Sequence, residues 1–241
     1  MKIALCLHGL FDSTTDMTSK GLDGFNHIKK NILDGNDVDI FIHSWEIEKE
    51  DEINSLYNPK KSIYEPQIDF QKIVDSRGLN SLSNTPRLPK NVLSHLYSVT
   101  KSVSLPYKES KKYDIVVKAR FDLGRINRLT SGPGQMNPYP VQCINFSTNI
   151  LNDKIYMANW QHFHMGPADM WFYGSFDIMR NFINLYESLM DEMYIGSEYH
   201  KFAISIENNP GDLSNAIAFY KYWMIKNNLW ENRINLDTVW E

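Results

Sequence analysis

Lys118, Arg120 and Asp122 alternate along residues 113–123, which read Tyr-Asp-Ile-Val-Val-Lys-Ala-Arg-Phe-Asp-Leu. The apolar run Ile115-Val116-Val117 is the pattern of a strand buried on both faces of a parallel sheet. In an extended strand the three charged residues share one side, and Val117, Ala119, Phe121 and Leu123 take the other. Two cations and a carboxylate at the carboxyl end of a buried strand are costly unless they meet each other, a metal or a charged ligand. Two outcomes follow. Arg120 and Asp122 close the strand as an internal ion pair, or the cluster is a site for an anionic ligand in which Asp122 holds a metal or a sugar. Open α/β sheets bind ligands in the crevice outside strand carboxyl ends, which is where these residues fall.

Two further strand ends carry polar groups of the same kind. The apolar run 3–7 ends on His8-Gly9, and the run 38–43 ends on His43-Ser44-Trp45. Gly9 permits close backbone approach to a ligand, and Trp45, or Phe11 beyond Gly9, offers a ring that can stack on a base. Sequential parallel strands bring such ends to one edge of a sheet. A later cluster, 159–175, contains His162 and His164 at i, i+2, a spacing that reaches one metal from an extended segment, although no third ligand is evident. Asp169 lies between a Gly-Pro loop and an aromatic run, a setting that can dry a carboxylate and raise its pKa toward a general-base role. It can equally cap a helix or turn containing residues 170–173. His200 is a possible late metal ligand, and a surface helix face explains it as well. There is no Walker loop, Gly-x-Ser-x-Gly elbow, dinucleotide fingerprint or Cys-x-x-Cys to support nucleotide hydrolysis, serine hydrolysis or hydride transfer.

The elements that must position these groups are legible from periodicity. Strands are expected over 3–7, 38–43, 62–65, 115–123 and 154–157. Helices are expected over 24–33, 91–105, 177–190 and 213–227, the third on the stripe Ile178, Phe182, Leu185, Leu189. Residues 46–58 read as charged and irregular, and 68–89 as a candidate mobile loop over a site. Residues 131–134, Ser-Gly-Pro-Gly, read as a turn. The βαβ order with few hairpin signals predicts an α/β fold, a mostly parallel sheet wrapped by helices with a helical C-terminal segment, as one domain over 1–241. A net charge of −4 and a sequence pI near 6.0 argue against sequence-independent nucleic-acid binding. Cys6 and Cys143 are the only cysteines and lack metal-type spacing, which fits a reducing cytoplasm. The start is too short for a signal-peptide core, and no stretch has the length of a membrane span.

Taken together, four segments resemble a family of small sugar-nucleotide-dependent glycosyltransferases of the GT-A fold from bacterial capsule and lipopolysaccharide clusters, large DNA viruses and phages. They are Lys2-Ile3-Ala4-Leu5-Cys6-Leu7-His8-Gly9; Val38-Asp39-Ile40-Phe41-Ile42-His43-Ser44-Trp45; Tyr57-Asn58-Pro59-Lys60-Lys61 running into Ile63-Tyr64-Glu65-Pro66-Gln67; and 113–123 joined to the block 169–174. The family often shows Arg-x-Arg-x-Asp where this chain has Lys118-Ala119-Arg120-Phe121-Asp122. Its first loop usually continues Gly-Gln-x-Arg, whereas Gly9 is followed here by Leu10-Phe11-Asp12. The resemblance implies transfer of a sugar from a nucleoside diphosphate sugar to a carbohydrate acceptor in surface polysaccharide or glycan synthesis. It implies a nucleotide-sugar site made by His8, Gly9, Leu10, Phe11, His43, Trp45, Lys118, Arg120 and Asp122. Arg120-Phe121-Asp122 stands at the Asp-x-Asp position, so Asp122, helped by His200 or Asp169, would hold Mn²⁺ or Mg²⁺. Alternatively Lys118 and Arg120 neutralise the diphosphate. Asp169 would deprotonate the acceptor hydroxyl in an inverting displacement, or only position it in a retaining one. The alternatives are a transferase of phosphoryl-linked groups on the same scaffold and a non-catalytic nucleotide- or carbohydrate-binding module.

Overall fold

The computed structural model describes residues 1–12, 21–79, 88–123, 150–159, 164–206 and 213–236. The apolar run at the start forms the inner part of β1 (Lys2–Gly9), in which Ile3 to Leu7 are fully buried. Burial on both faces places β1 mid-sheet, because a strand without a polar face must be covered from above and below. It pairs in parallel with β2 (Asp37–Ser44) on one side and with β4 (Ile115–Arg120) on the other. β3 (Lys61–Tyr64) continues the sheet beyond β2, also parallel.

On the far side β6 (Trp171–Ser175) runs antiparallel to β4, β5 (Ile155–Ala158) antiparallel to β6, and β7 (Arg233–Leu236) parallel to β5. Among the described residues the sheet has seven strands in the order β3-β2-β1-β4-β6-β5-β7. This is the expected α/β class: a mostly parallel central sheet flanked by helices.

The period-2 alternation of the strands separates two apolar layers. Ile3, Leu5, Leu7, Ile40, Ile42, Ile115 and Val117 face α1 (Gly21–Ile28), its π-helical continuation Lys29–Leu33, and α2 (Glu50–Tyr57). Ala4, Cys6, Phe41, Val116 and Phe172 face the other layer. There α4 (Pro89–Ser104) lies across β1 and β2 with Val92, Leu93, Leu96, Val99 and Val103 inward. Pro89 stands in its first turn, where a missing N–H costs nothing.

Several expectations change in detail. Residues 46–58 are not irregular. A 3₁₀ turn leads into α2, whose Ile53 and Tyr57 are buried one helical turn apart while Glu50, Asp51 and Glu52 occupy the favourable N-terminal turn. Within 68–89, α3 (Phe70–Ser76) packs Phe70 and Val74 inward, and 80–87 lie outside the described residues. The single helix expected over 177–190 is broken into α5 (Phe176–Met179), a 3₁₀ turn and α6 (Leu185–Glu192). Asn181 donates its side-chain N–H to the Ile178 carbonyl at 2.8 Å and Asn184 is non-helical, the local competition that makes Asn a poor interior helix residue. The stripe survives the break, with Phe182, Leu185 and Leu189 fully buried. Residues 171–173 form a strand rather than a helix or turn, as their aromatic character favours once strands lie on both sides.

α7 (Glu198–Ser205) and α8 (Ala216–Lys226) complete the second layer, α8 being capped by Asn215 Oδ1, which accepts from the Ile217 and Ala218 N–H groups. No helix among the described residues is long and apolar enough to cross a membrane. The expected turn at 131–134, Cys143 and His162 lie outside the described residues.

Leu96 is the fully buried centre of the α4 contact with the sheet. Leu96→Ala should lower unfolding free energy by about 2–5 kcal/mol, read as a reduced urea midpoint at unchanged slope.

Candidate functional site

Parallel pairing decides which polar groups meet. His8 lies level with His43 of β2 on one side and with Arg120 of β4 on the other, so the three strand ends carry a row of polar side chains at one sheet edge. Above that edge is a cavity of about 650 Å³ whose wall includes His8, Gly9, Leu10, Trp45, Arg120 and Asp122. Six of the residues expected at a ligand site therefore meet there. Gly9 adopts φ +97°, a backbone state that favours glycine, and its N–H donates to Ser98 Oγ of α4 at 3.0 Å.

The guanidinium of Arg120 organises the floor. Its Nε and Nη2 donate to the two oxygens of Asp122 at 2.8 and 2.5 Å, and its Nη1 donates to Asp169 Oδ2 at 3.1 Å. The internal Arg–Asp pair, one of the two outcomes the alternation allowed, is thus formed, and it extends to a second carboxylate. Asp169 reaches it from the segment before β6. Gly166 in that segment, at φ +149°, has no room for a Cβ against the Ile217 carbonyl of α8, so the approach to Asp169 is threaded closely past this helix.

Lys118 is fully buried one register step below. Its ammonium donates to the main-chain carbonyl of Asp169 and lies 5.3 and 5.5 Å from the ring centres of Phe172 and Tyr220. Burial brings it down to about 7, against the attraction of Asp169. The wall of the cavity does not include it, so it supports the Asp169 segment from behind rather than presenting its charge to a ligand.

Asp169 departs from expectation. Burial would raise its carboxyl, but Arg120, His95 and Lys118 outweigh burial and hold it at about 2. The environment is partly dry, as the aromatic run suggested, and the net shift is downward because cations surround it. His43 likewise is occupied internally. Its Nδ1 meets Ser98 Oγ at 2.7 Å and its Nε2 meets Glu65 Oε1 at 2.9 Å, so with Gly9 the network ties β1, β2, α4 and the residue after β3 together. With Glu65 accepting at Nε2, the Nδ1 atom accepts the Ser98 hydroxyl, which itself accepts the Gly9 N–H.

Phe11 is a correction. Its ring is fully buried in the first apolar layer against Tyr57 and Phe121, held there because Glu46 accepts the Phe11 N–H, and it offers no face to the cavity. Trp45 keeps the stacking role within reach, although Tyr97 already covers one of its faces at 5.3 Å. His200 is also displaced from the expected set. It lies on α7, where its Nδ1 accepts the Gly196 N–H at 3.1 Å, and it does not line the cavity with Asp122.

The donor set bears on a divalent ion. Both oxygens of Asp122 are taken by Arg120, which also engages Asp169, and Lys118 stands behind them. Among the described residues no group of three or more His, Cys, Asp or Glu side chains could hold a metal ion. A cation would have to displace a guanidinium bonded to both carboxylates, so the described residues do not fit Mn²⁺ or Mg²⁺.

Three participants escaped the sequence reading. His95 and Ser98 line the cavity from α4, and Tyr220 of α8 meets His95 Nε2 at 2.9 Å. The available signal was a polar pair at i, i+3 interrupting the apolar face of an otherwise regular helix, Val92, Leu96, Val99.

No protein-family model matches the chain, and no curated protein sequence matches it. Among solved structures, mouse xyloside xylosyltransferase 1 in its apo form is similar at 11% identity and a TM-score of 0.41, over 98% of this chain and 85% of that one. A likeness of that size carries no argument about activity, and the reading below rests on the site itself.

His8, His43 and His95 are all lowered, chiefly by burial, His95 to about 3. Between those folded values and the unfolded value of about 6.5 the unfolded chain binds more protons, so stability rises with pH in that window. The urea midpoint should therefore fall as pH drops below about 6.5, before carboxylate titration begins, and His95→Gln should flatten this limb.

Proposed function

We propose that the chain is a glycosyltransferase, a GT-A-like domain that moves a sugar from a nucleoside diphosphate sugar to a carbohydrate acceptor. The observation that carries this reading is the cavity at the carboxyl ends of β1, β2 and β4, with Arg120 and two carboxylates on its floor. Ligands of open α/β sheets lie in this crevice, and the family resemblance of the strand-end segments supplies the substrate class. About 650 Å³ falls in the range of small-molecule sites.

In this reading Trp45 and the neighbouring apolar wall receive the nucleoside, and Arg120 receives the diphosphate. The developing charge on the leaving nucleotide is offset by fixed cationic and N–H donors, which act before the reaction and need no reorganisation during it. This is the alternative in which cationic side chains, rather than Mn²⁺ or Mg²⁺, neutralise the donor. Arg120 moves from Asp169 toward the incoming phosphates. Asp169 then loses the charge that depresses it and becomes more basic, so it can accept the acceptor hydroxyl proton, or orient that hydroxyl, only once donor is in place. A non-catalytic binding module is the second reading, favoured by the completeness of the Arg120 ion-pair network in the unliganded chain.

A thermal-shift panel of nucleoside diphosphates and their sugars, with Mn²⁺ and with chelator, tests donor binding. One nucleotide class at a hundred times its Kd should add about 2.7 kcal/mol of apparent stability, undiminished by chelator. No shift across the panel overturns the donor reading. Asp169→Asn should retain that shift and lose sugar transfer to acceptor by about a hundredfold or more. Binding without any turnover in the unaltered chain would instead select the binding module.

A further inference from the structure

The inner wall of the cavity holds polar groups that the ion-pair network does not use. His8 is 1% exposed, and neither of its ring nitrogens has a hydrogen-bond partner among the described residues. Pairing of β1 on both sides fixes the backbone that carries the ring at the inner wall of the cavity. A buried polar group left in this way weakens the fold unless a ligand completes it. The ring lies edge-on to His95, with 5.1 Å between centroids, and both line the cavity with Arg120.

Of the groups around His8 only Lys118 and Arg120 carry positive charge, and Arg120 is already paired with Asp122 and Asp169. Lys118 and Arg120 act on it from β4, His95 from α4 and His43 from β2. The carboxylate of Asp169 acts on His95 and Lys118, Asp122 is closed by Arg120, and Tyr220 of α8 meets His95 Nε2. Burial and the cations keep His8 well below its ordinary value, hence neutral, with one N–H to give. A recess in which the unpartnered N–H of His8 stands beside the guanidinium of Arg120 complements a phosphate group once Arg120 turns from its carboxylates.

We propose that His8, His95 and Arg120 form a phosphate subsite at the inner end of the cavity, filled together with uptake of a proton by the His8–His95 pair. This rests on the donor reading above and says which end of the cavity takes the diphosphate. A phosphate oxygen accepts an N–H from His8 while Arg120 turns one edge of its guanidinium to the same anion. The new negative charge opposes the repulsion from Lys118 and Arg120, so the pair takes up its proton from solvent at a higher pH than in the unliganded chain. His8 then donates from both nitrogens. No covalent bond to the ligand forms or breaks, and the proton returns to solvent on release.

The test is a proton NMR titration of the full chain with inorganic pyrophosphate under chelator. The Cε1–H signal of His8 is assigned by its loss in His8→Gln, and that of His95 by its loss in His95→Gln. Pyrophosphate should move the His8 or the His95 midpoint upward by about one pH unit or more, equivalent to about tenfold tighter binding to the protonated form. Binding that leaves both midpoints in place overturns the proposal, as does absence of pyrophosphate binding. Should the variants fail to fold, the affinity of the unaltered chain for inorganic sulfate between about pH 5 and 6 decides, a window in which the charge of sulfate is constant and Lys118, at about 7, is already largely protonated. It should tighten as pH falls, and a flat profile overturns the subsite. Nucleoside diphosphates that bind without moving either midpoint overturn the subsite and leave the donor reading standing. Pyrophosphate that binds with a raised midpoint, while no nucleoside diphosphate binds more tightly, supports the subsite and overturns the donor reading.

Discussion

Two positive charges close the central strand, and most of the site follows from how they are neutralised. Lys118 and Arg120 project from the same side of β4 into a layer built of Phe172, Tyr220 and the inner face of α4. Lys118 cannot reach bulk water without dismantling the sheet, and Arg120, partly exposed to the cavity, stands against two carboxylates, so each is held by partners at fixed positions. Arg120 finds two carboxylates, and Lys118 finds a main-chain carbonyl and two aromatic faces. The carbonyl and one carboxylate belong to the same residue, Asp169. Its position is thus dictated twice, by charge from below and by the close passage of Gly166 past α8. The antiparallel strand β6 is anchored to the parallel half of the sheet at the point where the chemistry would occur.

That electrostatic arrangement also sets the states of the neighbouring groups. Burial, reinforced by the nearby cations, keeps His8 and His95 neutral, whereas at Asp169 the cations outweigh burial and keep the carboxylate ionised. A site poised this way has its acidic and basic groups pushed apart by one guanidinium. Movement of Arg120 toward a ligand would alter Asp169 and the histidines in the same step, without any change of backbone. The second network, Glu65–His43–Ser98–Gly9, has a different character. Its members satisfy one another and hold the turn after β1 in place. It is therefore scaffold, and His43 belongs to the scaffold although it stands beside His8 in the sheet.

The fold was largely legible in the sequence because its signals are local. A buried parallel strand needs an unbroken apolar run, and β1, β2 and β4 carry one each; the parity of Lys118, Arg120 and Asp122 along β4 follows from strand geometry alone. The errors have local causes as well. Residues 46–58 carry too many charges for their two buried apolar positions, Ile53 and Tyr57, to stand out, and 177–190 keep their apolar stripe although Asn181 and Asn184 break the helix. The aromatic run 171–173 has no period of its own and becomes a strand only because β4 and β5 flank it.

The sequence by itself determined the order of elements, the apolar layers and the charged residues at three strand ends, since each depends on neighbours a few positions apart. Only the tertiary structure decided what those residues do to one another. Phe11 and Trp45 are both aromatic residues following strands; one is sealed into the first layer by Glu46 and the other lines the cavity, a difference made by contacts distant in the chain. His8 and His43 end adjacent strands in the same way, yet Ser98 and Glu65 complete one and nothing among the described residues completes the other. Asp169 reads as a dry carboxylate until Arg120, forty-nine residues away, is placed against it. Coulomb energies and desolvation depend on distances in space, and those are fixed by packing rather than by spacing along the chain.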